Sequence, residues 1–292
     1  MRGFLSLLKI FAAFLVLLVL GALVFFLKKF REDYARPVTN FEQVIQEKDT
    51  IGFEPGQREF NRALELIALR RLDEAREKLL FIQNLYPGSS YGSEARRILG
   101  EINLDEILSV ENMTNKKVHT VKPGEGYLRI ATENDTTLDS IMFLNGLLEM
   151  GPLHTGDELI VMPLDFKLVI DLANQRVELF HRDQEKKEHV FAKDYPIEKL
   201  DIGKFSGRSV QSTISRKLGE LNGRSFQPTQ SAYRHAEKIL GFSFGNTFIQ
   251  LRQAPTVEGE EPGRGIFLTA PDMEELSMLI RIGNEVELKA SR

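Results

Sequence analysis

The sequence predicts a multidomain α+β protein, and three observations carry that prediction. Eighteen uncharged residues run from 10 to 27, apolar residues recur at helical spacing between 57 and 112, and short β-type runs occupy the chain from 117 onward. At 292 residues the chain exceeds most single domains, so two or three folded parts are expected. A 42% hydrophobic and 27% charged composition excludes a disordered chain. The net charge of −4, with no basic cluster interleaved with aromatics, argues against a nucleic-acid partner.

Residues 1–31 are expected to form a transmembrane signal anchor. The run IFAAFLVLLVLGALVFFL rises roughly 27 Å as a helix, close to the hydrocarbon thickness of a bilayer. A cleaved leader would have a shorter apolar core and a small-x-small site behind it, whereas Phe25, Phe26, Leu27 and Lys28 stand here. Arg2, Lys9 and the α-amino group balance Lys28, Lys29 and Arg31, so charge counting leaves the orientation tied. Residues 32–56, with Pro37 and Pro55, read as a linker.

Three amphipathic stripes occupy 57–112. Phe60, Ala63, Leu64, Ile67 and Ala68 form the first; Ala75, Leu79, Ile82 and Leu85 form the second, with Asp73 as its expected N-cap; Ala95, Ile98, Leu99 and Ile102 form the third. With alanines at close-packing positions and a break at Tyr86-Pro87-Gly88, the region resembles about one and a half tetratricopeptide-type repeats. So few units cannot bury their own faces, which favours a helical spacer packed on another domain over a peptide-binding groove.

Residues 117–163 carry the densest motif. A strand containing His119 stops at Pro123-Gly124, two short helices surround Ile130-Ala131 and Ile141-Leu144, and a second strand closes at Leu159-Val161. Val121-Lys122-Pro123-Gly124, Thr136-Thr137, Leu144-Asn145 and Gly156-Asp157-Glu158-Leu159 complete a βααβ pattern that resembles a LysM domain. The resemblance implies binding of N-acetylglucosamine-containing glycan, usually peptidoglycan or chitin. It places the ligand between two loops: Glu125, Gly126 and Tyr127 on one side, Asn145, Gly146 and Leu147 on the other. At 125–126 the chain has Glu-Gly where that family usually has an acid followed by a hydroxyl residue, so one hydroxyl is lost and a freer loop is expected.

Residues 166–290 begin with two strand patterns around Val169 and Leu179 and a third at His189. They end with Gly265-Ile266-Phe267-Leu268-Thr269, a helical stretch from Asp272 to Ile280, and a strand after Gly283. This ending resembles L,D-transpeptidases of the YkuD type. That family implies a cysteine nucleophile, a histidine base and an arginine in the site. The chain contains no cysteine anywhere. On this resemblance Ile266 stands at the nucleophile position, Gln250 at the histidine, Leu268 at the arginine, and Arg264 where histidine often precedes the glycine. Isoleucine has no lone pair, and glutamine is no base near neutral pH.

The remaining hydroxyls, Ser206, Ser209, Ser212 and Thr269, have no histidine and acid at readable spacing, and His181 and His235 read as ordinary surface or strand residues. Five scattered histidines without paired spacing predict no metal site, and no cofactor is expected. The polar segment 200–235 is read as a remodelled cleft or a partner surface. Taken together, the modules predict a non-catalytic, peptidoglycan-binding envelope protein, anchored in the inner membrane with its soluble domains on the periplasmic side. A peptidoglycan-modifying enzyme with another nucleophile, and an assembly factor that docks protein partners, stay open as alternatives.

Overall fold

The computed structural model describes residues 54–183, 187–203, 209–255 and 263–289. The expected membrane span, and nearly all of the expected linker, lie outside the described residues. No helix among the described residues is long and apolar enough to cross a membrane.

Three helices open the described chain: α1 (Gln57–Ala68), α2 (Leu72–Leu85) and α3 (Ser90–Leu108). Phe60, Ala63, Leu79, Ile82, Ala95 and Leu99 form their shared core, so all three stripes supply it. The first stripe is rotated from expectation: Leu66 is buried and Leu64 faces outward. Asp73 is not a cap, because α2 begins one residue before it, with Arg71 at the N-cap. An acid in a first turn still favours the helix through the dipole. Ser89 caps α3, its hydroxyl accepting the Gly92 amide at 2.9 Å.

The third helix is tied to two later strand segments. Arg96 of α3 reaches Glu178 and Asp194, each at 2.8 Å, and Lys193 reaches Glu101 of α3 at 2.8 Å. Gly100 provides close approach: a Cβ there would lie 3.2 Å from the Lys193 Cα.

Next along the chain are β1 (Lys117–Thr120), α4 (Tyr127–Glu133), α5 (Leu138–Leu144) and β2 (Glu158–Val161). The two strands pair antiparallel, Lys117 opposite Val161. Val121, Ile130, Ala131, Leu138, Ile141, Leu159 and Val161 make a small core of their own. Leu144, Met162 and Leu164 belong instead to the main core, built largely on the strands from Phe166 onward.

A ten-stranded sheet accounts for most of the remaining described residues. Its strands are β3 (Phe166–Asp171), β4 (Arg176–Arg182), β5 (His189–Pro196), β6 (Lys199–Asp201), β7 (Val210–Leu221), β8 (Arg224–Phe226), β9 (Glu237–Phe244), β10 (Thr247–Gln253), β11 (Gly265–Leu268) and β12 (Glu285–Lys289). They run in the order β5-β4-β3-β12-β7-β9-β10-β11-β6, with β8 paired to β7. The β3–β4 turn is fixed by Asp171, whose carboxylate accepts the amides of Ala173 and Asn174 at 3.1 Å each. Between β11 and β12, helix α6 (Ala270–Leu279) lays Met273, Leu276 and Leu279 on the sheet. Pro271 sits in its first turn, where a missing N–H costs nothing.

The described part of segment 200–235, read from sequence as a remodelled cleft or a partner surface, includes sheet structure. It contains β7, at 12 residues the longest described strand, placed between β12 and β9. Lys217 on this strand is buried, with Nζ donating to the carbonyls of Ser277 at 2.5 Å and Ile280 at 3.1 Å, and lying 3.7 Å from Asp139 of α5. It thereby caps the end of α6 and ties α5 to the sheet. Burial outweighs Asp139 and pushes its pKa down from 10.5 to about 8.

Candidate functional site

Two places answer to the residues singled out in the sequence: the β10–β11 strand pair, and the two loops at one end of the βααβ unit. Strand β11 runs parallel to β10, with Ile266 opposite Leu251 and Leu268 opposite Gln253. Ile266 and Leu268 are both fully buried members of the main core, alongside Ile249 and Leu251 of β10. Side chains alternate across a sheet, so Gln250 and Arg252 occupy the other face, as do Gly265 and Phe267. Gln250 and Ile266 are therefore not brought together. A polar group at Ile266 or Leu268 would point into apolar packing, not toward a substrate.

The face that Gln250 shares is partly covered by neighbouring side chains. Gln250 pairs with Gly241 of β9, and a Cβ at Gly241 would meet the Phe248 ring at 2.5 Å and the Arg216 Cβ at 3.1 Å. The Arg216 guanidinium lies 5.0 Å from the centroid of that ring. Arg252 approaches Glu220 at 3.5 Å. Gln250 is half-buried and Arg264 is exposed.

The hydroxyls weighed as substitutes are occupied at Ser212 and Thr269. Ser212 donates to the Ser243 carbonyl at 2.5 Å, and Thr269 caps α6 and donates to Asp272 at 2.7 Å. His235 is exposed, and burial pushes the His181 imidazole down, leaving it neutral at pH 7. Ser206 lies outside the described residues. Among the described residues no group of three or more His, Asp and Glu side chains could hold a metal ion.

The loop residues of the βααβ unit divide into those facing out and those spent on the fold. Glu125 belongs to the second class. Its Oε2 accepts the Lys122 amide at 2.9 Å and lies 2.8 Å from His119 Nε2, and its side chain is 2% exposed. The Lys122 amide, then the His119 imidazole, hold its carboxyl below the usual carboxylate range. It closes the turn that contains Gly124 at φ 76°, and offers no free carboxylate to a sugar.

Asn145 is also spent. Its Nδ2 donates to the carbonyls of Ile141 at 2.8 Å and Ile160 at 2.9 Å, and its Oδ1 accepts the Ile160 amide at 2.8 Å. It clamps β2 to the end of α5. Tyr127 and Leu147 pack against the small core. Of the two glycines, Gly126 and Gly146, the first has extended backbone, φ −125° and ψ 165°, so the freer loop expected there is not what the residue provides. Gly146 takes φ 61° just beyond α5, the position where a helix end favours glycine. A Cβ at either would meet nothing within 4 Å, so both stand beside open space. Leu148 is 95% exposed. Open space thus stands beside Gly126 and Gly146, and of the six residues expected in the ligand site Glu125 and Asn145 are spent on the fold.

Comparison with protein-family models finds no match, and no curated protein matches. Solved structures give weak likenesses. An L,D-transpeptidase (Yku) from Stackebrandtia nassauensis has 16% identity over 44% of this chain and 57% of its own, with a TM-score of 0.28. An Enterococcus faecium L,D-transpeptidase has 15% identity over 52% and 64%, with a TM-score of 0.27. A fused zinc-dependent amidase/peptidase/peptidoglycan-binding domain-containing protein from Clostridium acetobutylicum has 11% identity over 42% and 51%, with a TM-score of 0.28. The chain spans about half to two thirds of the length of these proteins. With every one of these TM-scores below 0.5, functional assignment has to rest on the residues themselves.

Proposed function

We propose that this protein is a membrane-anchored, non-catalytic component of the bacterial cell envelope that binds peptidoglycan. In this reading the apolar run 10–27 is the anchor, the βααβ unit is a LysM-type glycan binder, and the sheet domain is a transpeptidase-like scaffold without its chemistry. The orientation that suits it places the N-terminus in the cytoplasm and the remainder outside the inner membrane. Membrane and glycan are the partners; protein partners are compatible with the same arrangement.

The observation that carries the non-catalytic part is strand β11. Acyl transfer through a covalent intermediate needs an activated nucleophile beside a base. The strand offers Gly265-Ile266-Phe267-Leu268, all buried, in a chain without any cysteine. The hydroxyls of Ser212 and Thr269 already serve the backbone and a helix cap. The glycan-binding part is supported by the sequence motif together with the open space beside Gly126 and Gly146. Such space beside exposed loops suits a sugar ring with its hydroxyl and acetamido groups.

The test is co-sedimentation of the detergent-solubilised full chain with purified sacculi, followed by muropeptide analysis of the same reaction. Pelleting with an unchanged muropeptide profile is expected. No pelleting above a control protein removes the binding reading, and new cross-links or cleaved products remove the non-catalytic one. An isolated 110–165 fragment is a poorer reagent, because Leu144, Met162 and Leu164 would lose the core they share with the sheet.

A further inference from the structure

A cleft of about 280 Å³ lies where α3, the 112–115 loop, and strands β4 and β5 meet, away from both places considered above. Its polar lining is rich in side-chain amides. Asn103 comes from α3, while Asn112 and Asn115 come from the loop. The Asn103 amide nitrogen lies 3.4 Å from the Phe191 carbonyl, and that of Asn112 lies 3.4 Å from the Glu106 carbonyl. Both bonds are long, and each amide nitrogen carries two N–H groups, so donor capacity is left over. Asn115 is held at φ 61°, a left-handed conformation that asparagine tolerates better than most residues.

The charged groups around the cleft come in pairs. Arg76 meets Glu106 at 2.5 Å, and Arg182 lies 3.6 Å from Asp165. His181 adds a ring nitrogen, and Ile107, Val190 and Phe191 supply apolar wall. Two cations balanced by two carboxylates give little preference for an anion or a cation. Amides offering donors and acceptors beside apolar surface instead match a neutral ring with hydroxyls and an amide on its edge and C–H groups on its faces. The size sets the length. Pockets for drug-sized ligands run from about 300 to 1,000 Å³, so this cleft takes a single ring and not a chain of several.

We propose that this cleft binds one N-acetylated hexosamine residue of a glycan, as a second contact separate from the βααβ loops. The preference for an amino sugar over another neutral polyol rests on the envelope reading above; the single-ring size and the neutrality do not.

The probe is the β-1,4-linked trimer of N-acetylglucosamine, titrated calorimetrically into the detergent-solubilised full chain, with maltotriose as the control. Two kinds of variant separate the sites. Asn103→Leu with Asn115→Gly removes two of the cleft's three side-chain amides while keeping side-chain size at 103 and the backbone freedom at 115. Gly126→Trp obstructs the loop face, where the backbone is extended and a Cβ would meet nothing within 4 Å. The cleft variant is expected to lose one class of binding site, or to weaken binding by about tenfold or more. Gly126→Trp is expected to retain cleft binding. If the cleft variant lowers the thermal midpoint appreciably, Asn115→Gly alone replaces it, since it removes a lining amide and leaves the Asn103–Phe191 bond in place.

Binding unchanged in the cleft variants overturns the proposal, as does loss of all binding in Gly126→Trp. Equal affinity for maltotriose overturns the choice of amino sugar. No binding of the trimer by the wild-type chain overturns the proposal outright, while sacculus pelleting separately decides the envelope reading.

Discussion

Raising the pH from 7 to 10 should make this protein more stable, and Lys217 is the reason. Its folded pKa is about 8, against 10.5 for an unburied lysine. Below pH 8 both folded and unfolded chains carry the proton. Between about 8 and 10.5 the unfolded chain binds more protons than the folded one, so stability rises with pH across that window. The gap between 10.5 and about 8, at ~1.4 kcal/mol per pH unit, is worth about 3 kcal/mol. For a chain of this size that corresponds to roughly 6–12 °C in the unfolding midpoint, most of it gained by pH 10. Lys116, lowered by burial, adds a smaller rise of the same sign. Above pH 10 the trend reverses. Burial raises Tyr195 and Tyr233, and on Lys193 burial is outweighed by Glu101 and Glu275, so these groups keep protons that the unfolded chain releases. The assay is thermal or urea unfolding at pH 7, 8.5 and 10 for the wild type and for Lys217→Met. A rise in the wild type that flattens in the variant is expected. Parallel curves would refute the reasoning.

The cysteine-free background makes Ile266→Cys a clean probe: its thiol should resist a water-soluble thiol reagent in the folded protein and react fully on denaturation, because position 266 is buried in the core. Rapid labelling of the native protein would place that side chain on the face of Gln250 instead. Asn145→Ala removes three hydrogen bonds, two to Ile160 of β2 and one to Ile141 of α5, and should cost about 2–4 kcal/mol by chemical denaturation; a near-neutral result would return Asn145 to the pool of free ligand-facing groups. Gly92→Ala places a Cβ 2.1 Å from the Tyr86 carbonyl oxygen and should cost about 3 kcal/mol, read from the urea midpoint. Glu125→Gln should weaken protection of the Lys122 amide in hydrogen exchange at neutral pH. In the wild type the same protection should fall on acidification, because a depressed carboxyl stabilises only while ionised.

Elements whose polar residues lie in turns are legible from sequence, and those whose polar residues lie inside are not. The β3–β4 hairpin announces itself because Asp171 and Asn174 punctuate two apolar runs. The start of α6 is marked by Thr269, a capping residue with a proline and an acid just beyond it. Strand β7 is hidden because Lys217 sits where an apolar residue would mark the buried face. The facing of β11 is illegible for a related reason. All four residues, Gly265 to Leu268, are buried, so no alternation tells one face from the other, and a shift of one residue exchanges the core face and the opposite face. Glu125 and Asn145 look like ligand groups in the sequence because both are polar and stand in loops. Each instead satisfies main-chain groups of its own module, a demand that composition does not display. The amide-lined cleft leaves no local signal, since Asn103 and Phe191, which meet in it, stand 88 residues apart.

The junction at Leu164 has a mechanical consequence. Its carbonyl accepts Asn284 Nδ2 at 2.9 Å and Arg281 Nε at 3.3 Å, and its amide donates to the Asp135 carbonyl at 2.8 Å. Thr137 adds a bond to the Met278 carbonyl at 2.9 Å. A binder hung on a slack tether gains avidity over a wide range of target spacings, because the tether adjusts. Here the βααβ unit and the sheet share one joint without slack, and the pair behaves as a fixed-gauge calliper. On the proposed function, two contacts with one glycan strand would reinforce each other only when that strand's own repeat fits the gauge. Tension applied through the βααβ unit would pass into the sheet without first drawing out a linker.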